Sequence, residues 1–142
     1  MKTTKFKKRV ISACLAVMLV ASIGVLSVSA SNHSDTSYSF SFSPTHMADY
    51  TGPRQKLDNS SVYMLCNSIY KSYTAHVVAE PDTSSTIIDV SGNHTYQFVR
   101  VGDWHKMINY AKEWGYNWAG IIGTSDYSTY SSASGVWSPD SI

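Results

Sequence analysis

Strict alternation of aromatic residues and serine is the feature of this sequence that most limits its fold. Residues 38–43 read YSFSFS. Successive side chains of a β-strand point to opposite faces of a sheet, so this spacing predicts a strand with one buried and one solvated face. Pro44 is expected to end the strand, because proline has no backbone N–H for a ladder hydrogen bond. At least part of the core is therefore expected to be β-structure.

Two further segments rich in strand-forming residues are predicted to form an antiparallel hairpin. They span residues 61–69 and 73–80, and only residues 70–72 separate them. A connection this short favours pairing of the two strands that it joins. Residues 45–60 contain the turn-forming sequences Gly-Pro and Asp-Asn-Ser with little hydrophobic periodicity, and they are expected to form a loop.

A second hairpin is predicted from residues 86–90 and 95–101. The connection contains adjacent glycine and asparagine residues at 92–93, which tolerate the positive φ that tight turns require. Residues 118–123 are predicted to form another strand. Residues 135–137 are expected to form a last short strand, at a sheet edge.

One amphipathic helix is predicted over about residues 104–114. Its apolar residues recur at i, i+3, i+4 and i+7, the spacing of one helix face: Trp104, Met107, Ile108 and Ala111. Asp103 is suited to the N-cap, and Gly115 stands where a left-handed residue commonly closes a helix. Together with the strands, this predicts a mainly β fold, a small antiparallel β-sandwich or open barrel with one short helix.

The start of the chain has the pattern of a secretory signal peptide, covering residues 1–30. Five basic residues lie within the first nine, residues 10–28 are almost wholly apolar or small, and Val-Ser-Ala ending at Ala30 supplies the small residues of a cleavage site. Cleavage would leave residues 31–142 as a single secreted domain. Two alternatives stay open, namely lipidation of Cys14 and a retained apolar anchor.

The expected secreted domain, ordered from about residue 37, is mildly acidic. The signal peptide holds five of the eleven basic residues, so residues 31–142 carry six basic and ten acidic side chains. Such a surface lacks the basic cluster that attracts nucleic acid or anionic lipid. We therefore expect no nucleic-acid partner, and no stable membrane anchor after signal cleavage. Cys66 is the one cysteine of residues 31–142, which excludes an internal disulfide.

The sequence assigns no catalytic residue and no metal ligand, and no cofactor is expected. Cys66 lies in a predicted strand, where a lone cysteine is expected to be buried as a small apolar side chain rather than to act as a nucleophile. The five histidines lack the paired spacing of a zinc site. Asp103, His105 and Glu113 would share the predicted helix, but His105 and Glu113 align only loosely on it.

Aromatic residues are abundant in residues 31–142, with ten tyrosines, four tryptophans and three phenylalanines. Tyrosine and tryptophan offer flat, rigid contact surfaces to sugars and proteins. Trp104 is expected in the core. Tyr127, Tyr130 and Trp137 stand among serines and glycine, and we predict that they are partly exposed and bind a ligand. The expected partner is a cell-wall glycan or an extracellular protein.

Three short patches carry a resemblance to a known family: SSVYMLC at residues 60–66, INYAKEWGYNWAGI at residues 108–121 and SGVWSPDSI at residues 134–142. In these patches the chain is similar to small secreted proteins of Gram-positive bacteria, the Firmicutes, that share an uncharacterised domain and are sometimes grouped with bacteriocin-like products. The resemblance implies export and a domain of this size. It transfers no active-site residue.

The function predicted from the sequence is that of a secreted, non-enzymatic binding module that acts at the cell envelope or outside the cell. Two alternatives from other classes stay open. One is a bacteriocin-like protein that antagonises other bacteria. The other is a secreted hydrolase, whose site would be assembled from Cys66 or His105 together with carboxylates.

Overall fold

A computed structural model describes residues 31–81 and 86–142, and the regular structure of these ranges consists of ten β-strands. In chain order they are β1 (Thr36–Phe42), β2 (Ala48–Tyr50), β3 (Arg54–Gln55), β4 (Val62–Ile69), β5 (Tyr73–Ala79), β6 (Ile88–Asp89), β7 (Tyr96–Phe98), β8 (Trp104–Met107), β9 (Trp118–Ser125) and β10 (Ser131–Ser138). The predicted mainly β class is confirmed. The predicted signal peptide lies outside the described residues.

The strands form two antiparallel sheets, neither of which closes into a barrel. The four-stranded sheet has the order β1-β10-β4-β8. In the six-stranded sheet β2, β9, β5 and β6 are neighbours in that order, while β3 also pairs with β9 and β7 with β5. The inward side chains of both sheets join in one hydrophobic cluster, so the two sheets cover each other's apolar faces.

Aromatic rings fill the space between the sheets. The alternation in β1 sends Tyr38, Phe40 and Phe42 inward, where each is at most 5% exposed, and leaves the intervening serines in solvent. Phe40 meets Tyr73 of β5 edge-on, with ring centroids 5.7 Å apart, and Tyr73 stacks on Phe98 of β7 at 4.9 Å. The prediction of one buried and one solvated face in β1 is therefore confirmed.

The first predicted hairpin is wrong, although both of its strands are present. β4 belongs to the four-stranded sheet and β5 to the six-stranded sheet, so residues 70–72 cross from one layer to the other. Both strands bury alternate side chains, among them Met64 and Val77. Opposite sheets let these two apolar faces pack against each other, and a short connection is compatible with that arrangement as well as with a hairpin.

The second predicted hairpin is wrong for a related reason. β6 and β7 do not pair with each other, because both pair antiparallel with β5. Gly92 and Asn93 adopt φ angles of 61° and 68°, which confirms the predicted turn residues. The turn interrupts an edge of the six-stranded sheet rather than reversing the chain.

The predicted helix over residues 104–114 is absent from the described residues, and β8 occupies its first part. Buried side chains recur at every second residue here, as in a strand, and not every 3.6 residues, as in a helix. Met107, Asn109 and Ala111 are buried, whereas Trp104 is 57% and Ile108 42% exposed. The expectation that Trp104 lies in the core is therefore wrong. Pairing of β8 with β4 satisfies backbone groups that a helix would satisfy internally.

A single turn follows β8 and ends as a helix would end. The Tyr116 N–H donates to the Ala111 carbonyl at 2.8 Å and the Gly115 N–H to the Lys112 carbonyl at 3.0 Å. Gly115 has a φ of 86°. This is the hydrogen-bond pattern of a Schellman motif, so the predicted left-handed glycine is confirmed without the helix.

The last predicted strand is present, but β10 is longer than expected and lies between β1 and β4 rather than at an edge. The predicted loop over residues 45–60 contains the short strands β2 and β3, which pair with β9. In the part of the chain described, no helix is long and apolar enough to cross a membrane.

Candidate functional site

The solvent-facing side of the four-stranded sheet, called the outer face below, is the candidate functional site. Alternation along each strand sends outward the side chains that do not enter the core. Most of them are serines or aromatic residues. The outward side chains are Ser37, Ser39 and Ser41 in β1, Ser132, Ser134 and Val136 in β10, Tyr63 and Leu65 in β4, and Trp104 and Lys106 in β8. Of these outward side chains, only that of Lys106 is charged.

One end of the outer face, the Trp104 end, is apolar and aromatic. Val136 lies opposite Leu65 in the ladder, and Leu65 lies opposite Trp104. The Trp104 and Tyr63 ring centroids are 6.3 Å apart, with their planes at 38°. Lys106 pairs in register with Tyr63 and donates a hydrogen bond from its ammonium group to the backbone oxygen of Ile142. Two neighbouring rings therefore meet the solvent beside an ammonium group that already has an acceptor.

Serine hydroxyls occupy the middle of the outer face. Ser39 of β1 pairs with Ser134 of β10, which in turn pairs with Ser68 of β4. The register between β10 and β4 shifts between Ser134 and Gly135, so that β4 bulges there. Gly135 permits the close approach of the two strands, because a Cβ at this position would collide with the backbone oxygen of Leu65.

The opposite end, the Tyr70 end, carries two strongly exposed rings. Tyr70 is 73% and Tyr130 is 77% exposed. Both line a shallow groove of about 290 Å³ together with Ser41 and Ser132. The Tyr70 N–H donates to the Ser132 carbonyl at 2.9 Å, which fixes the start of the 70–72 crossing against β10.

Tyr127 lies beside the Tyr70 end, in the connection between β9 and β10. Its ring is 49% exposed, and the Lys71 ammonium lies 5.3 Å from the ring centroid. Lys71 also donates a 2.8 Å hydrogen bond to Thr129 Oγ1. A cation over an aromatic face is attractive, so these contacts hold together the two connections that pass between the sheets.

The three predicted ligand-binding residues do not lie together. Tyr127 and Tyr130 are exposed, as expected, but the expectation that Trp137 is exposed is wrong. Trp137 is 1% exposed and enters the core from β10, with the Arg54 guanidinium 5.5 Å from its ring centroid. Parity along the strand is the cause, because Trp137 shares the inward face of β10 with Ala133.

Tyr63, Tyr70 and Trp104 belong to the outer face without having been predicted as site residues. Tyr70 falls in a connection that the sequence presents as a hairpin turn, and Trp104 falls in a stretch that also fits a helix. The signal that identifies Trp104 is the alternation of exposed Trp104 and Lys106 with His105 and buried Met107. It becomes readable once β8 is known to be a strand.

Cys66 is fully buried, as predicted. It lies beside the hydroxyls of Tyr38 and Tyr73, which are 2.8 Å apart and link the two sheets. Burial raises the pKa of the Cys66 thiol, and burial likewise raises the pKa of both phenols. A protonated thiol that solvent does not reach is a poor nucleophile.

A buried ion pair holds the C-terminal segment. Lys56 Nζ lies 3.1 Å from Asp140 Oδ1, and neither side chain is exposed. Backbone groups satisfy the remaining atoms of the pair: Nζ donates to the carbonyls of Ser60 and Pro139, and Asp140 Oδ2 accepts from the N–H groups of Asn32 and Leu57. Burial lowers the pKa of Lys56, and Asp140 opposes that shift. Pro139 and Asp140 of the C-terminal patch therefore have a structural role.

The residues considered for acid–base chemistry have other contacts. Asp103 accepts backbone hydrogen bonds from Val99 at 2.9 Å and Arg100 at 3.1 Å, which lower the pKa of its carboxyl group. It therefore caps a turn rather than a helix. His105 Nε2 lies 3.1 Å from the Gln97 carbonyl oxygen. The described ranges contain no group of three or more His, Cys, Asp or Glu side chains placed to hold a metal ion.

Comparison with known proteins identifies one family. The sequence profile of a family described as protein of unknown function (DUF2712) matches residues 26–141. No curated protein and no solved structure shows a significant match to the chain. The match covers all ten strands described above.

Proposed function

The chain belongs to the DUF2712 family of proteins of unknown function, and we propose that it is a secreted, non-enzymatic module that binds a cell-wall glycan on its outer face. The observation that carries the proposal is the pair of tyrosines at the Tyr70 end, exposed by 73% and 77%, around a groove that also contains serine hydroxyls. These two are the most exposed aromatic side chains of the described residues. Rings kept in solvent at a formed groove favour contact with a ligand.

The chemistry of the outer face suits a sugar. The apolar C–H face of a pyranose packs on an aromatic ring, and its hydroxyl groups exchange hydrogen bonds with serine. Lys106 already has an acceptor in the backbone of Ile142. His33 and Asp35 line the pocket beside Tyr63 and Lys106, whereas the outward residues of β1 and β10 carry hydroxyls and no charge. A surface dominated by rings and hydroxyls matches a polyhydroxylated partner better than a uniformly charged polymer.

The buried groups of the domain favour binding over catalysis. Cys66 is surrounded by phenols, and Lys56 has its three donors engaged by Asp140 and two carbonyls. These arrangements stabilise the fold, since buried polar groups need partners. Neither leaves a nucleophile beside a base at a solvent-accessible cleft.

Export is the part of the proposal that rests on the sequence. Basic residues, an apolar run and small residues before Ser31 form the pattern that signal peptidase recognises. We expect the protein recovered from the medium of a producing culture to begin at Ser31, as read by N-terminal sequencing. Recovery of the uncleaved chain with the cells would contradict this part of the proposal.

The binding test is co-sedimentation of the purified protein with isolated Gram-positive cell walls and, separately, with lipid vesicles. We expect pelleting with walls and none with vesicles. Tyr130→Ala should weaken wall binding by about tenfold, which corresponds to the loss of one well-placed aromatic contact. Trp114→Ala is the matched control: this ring is 54% exposed and stacks on Tyr110, whose N–H donates to the Val90 carbonyl next to β6 of the other sheet.

Three results would refute the proposal. The first is pelleting with vesicles alone, which would favour an antagonist of bacterial membranes. The second is wall binding that Trp114→Ala reduces as much as Tyr130→Ala does. The third is absence of binding to walls. Thermal unfolding of each variant shows that a loss of binding does not come from a loss of fold.

A further inference from the structure

We propose that the whole outer face is one track for a single linear, uncharged glycan chain that runs parallel to β4 from the Trp104 end to the Tyr70 end. This inference rests on the proposed function and specifies the shape and length of its ligand. It requires that the two aromatic ends contact different sugar rings of the same chain, and that the serines between them bind the rings in the middle.

The two ends lie on the same side of the same sheet. Tyr63 and Leu65 point outward from β4, Leu65 is opposite Trp104, and the backbone of Tyr70 continues β4 alongside Ser132. Seven positions separate Tyr63 from Tyr70, which at about 3.3 Å per strand residue is about 23 Å. That length is several sugar rings, so a monosaccharide cannot reach both ends and an extended oligomer can.

The middle of the face is suited to a chain that passes over it. Ser39, Ser134 and Ser68 lie side by side across three strands. Their side chains are short, so they form a level surface between the rings at the ends. Each hydroxyl both donates and accepts a hydrogen bond, which is what the hydroxyls of a sugar require.

The charge pattern between the two ends favours an uncharged chain, whereas at the Trp104 end His33, Asp35 and Lys106 line one pocket with Tyr63. The outward side chains from Ser37 to Ser41, from Ser132 to Val136 and from Tyr63 to Leu65 include no ionisable group other than the Tyr63 phenol. Lys106 donates to the Ile142 backbone. An acidic polymer would find no row of cations here, and a peptide strand would need the unpaired backbone of a sheet edge rather than a sheet face.

The experiment is isothermal titration calorimetry of the purified protein with linear N-acetylglucosamine oligomers of increasing length, from the disaccharide upward. A single track predicts that affinity rises with length until the oligomer spans the face, and that the long oligomer binds as one chain per protein. It also predicts that Trp104→Ala and Tyr70→Ala each weaken the long oligomer by about tenfold or more. Trp114→Ala should leave its affinity unchanged.

Other outcomes separate this inference from the proposed function. Equal affinity for short and long oligomers, or two disaccharides bound per protein with no gain from length, would show separate sites and overturn the track. Sensitivity to only one of Trp104→Ala and Tyr70→Ala would also overturn it. If walls pellet the protein but no oligomer binds, an uncharged linear glycan is the wrong ligand while wall binding stands. Failure to bind walls refutes the proposed function itself.

Discussion

Removing one partner of the buried ion pair should be among the most damaging single substitutions in this domain. In the Asp140→Ala variant the Lys56 ammonium loses its counter-ion at a site where neither side chain of the wild-type pair is exposed to solvent. The substitution also leaves two backbone N–H groups, those of Asn32 and Leu57, without the carboxylate that accepts their hydrogen bonds. The cost is expected to come from an uncompensated buried charge rather than from lost packing.

The expected loss is about 3–5 kcal/mol, the range for breaking a buried pair on one side. Domains of this size are stable by only about 5–15 kcal/mol, so the variant should lose a large share of its free energy of unfolding. With an m-value of about 1–3 kcal/mol/M in urea, the midpoint should fall by about 2 M. Arg100→Ala is the control, because Arg100 and Asp103 form a pair of the same 3.1 Å length in which the arginine side chain is 82% exposed.

The assay is equilibrium unfolding in urea, followed by tryptophan fluorescence. The exposed-pair control should lose no more than about 1 kcal/mol. The double variant Lys56→Met with Asp140→Ala should be more stable than Asp140→Ala alone, since it no longer buries an unpaired charge. A loss of less than about 1 kcal/mol in Asp140→Ala, or a double variant less stable than the single one, would refute the argument.

Three further predictions concern other parts of the fold. Gly135→Ala should destabilise the domain by about 3 kcal/mol, the upper end of the usual range for overpacking, because the new Cβ collides with the Leu65 backbone oxygen. Urea unfolding beside wild type measures the loss, and an unchanged midpoint would contradict the close approach of the strands. Cys66 should react with a thiol reagent only when the protein unfolds, and equally fast labelling of the native and urea-unfolded protein would contradict its burial. Burial acts to raise the pKa of Asp58, but hydrogen bonds from Ser60 and Ser31 and the charge of Lys56 outweigh it and lower that pKa to about 2. The stabilisation by this carboxylate should therefore be present above about pH 4 and lost between about pH 4 and pH 2. At neutral pH Asp58→Ala should be less stable than wild type by up to about 1 kcal/mol, and this difference in unfolding free energy should disappear on acidification. A difference that stays constant with pH would contradict the argument.

Part of the candidate site is readable from local sequence. Tyr127 and Tyr130 stand in a serine-rich connection, and both are exposed. Trp137 has similar neighbours but is buried, because the inward or outward direction of a strand residue depends on the parity of the whole strand. Composition around a residue therefore identified exposed aromatic residues in a loop and failed for one in a strand.

Trp104 shows the limit of periodicity as a guide. Its neighbours satisfy a helical spacing and also an alternating one, and short segments satisfy both easily. Pairing with β4 favours the strand over the helix, because β8 adds to the edge of β4 in register, with Leu65 opposite Trp104. A partner strand distant in sequence supplies hydrogen bonds that no local propensity encodes.

The sequence by itself determined the features that depend on single residues and their immediate neighbours. These include the two-faced strand β1, the burial of Cys66, and the positive φ of Gly92, Asn93 and Gly115. Only the tertiary structure decided which sheet each strand joins, that residues 104–107 form a strand, and that Tyr63, Trp104 and Tyr70 share one surface. The reason is physical: side-chain alternation and turn geometry are local, whereas strand pairing and the covering of an apolar face depend on what the rest of the chain brings into contact.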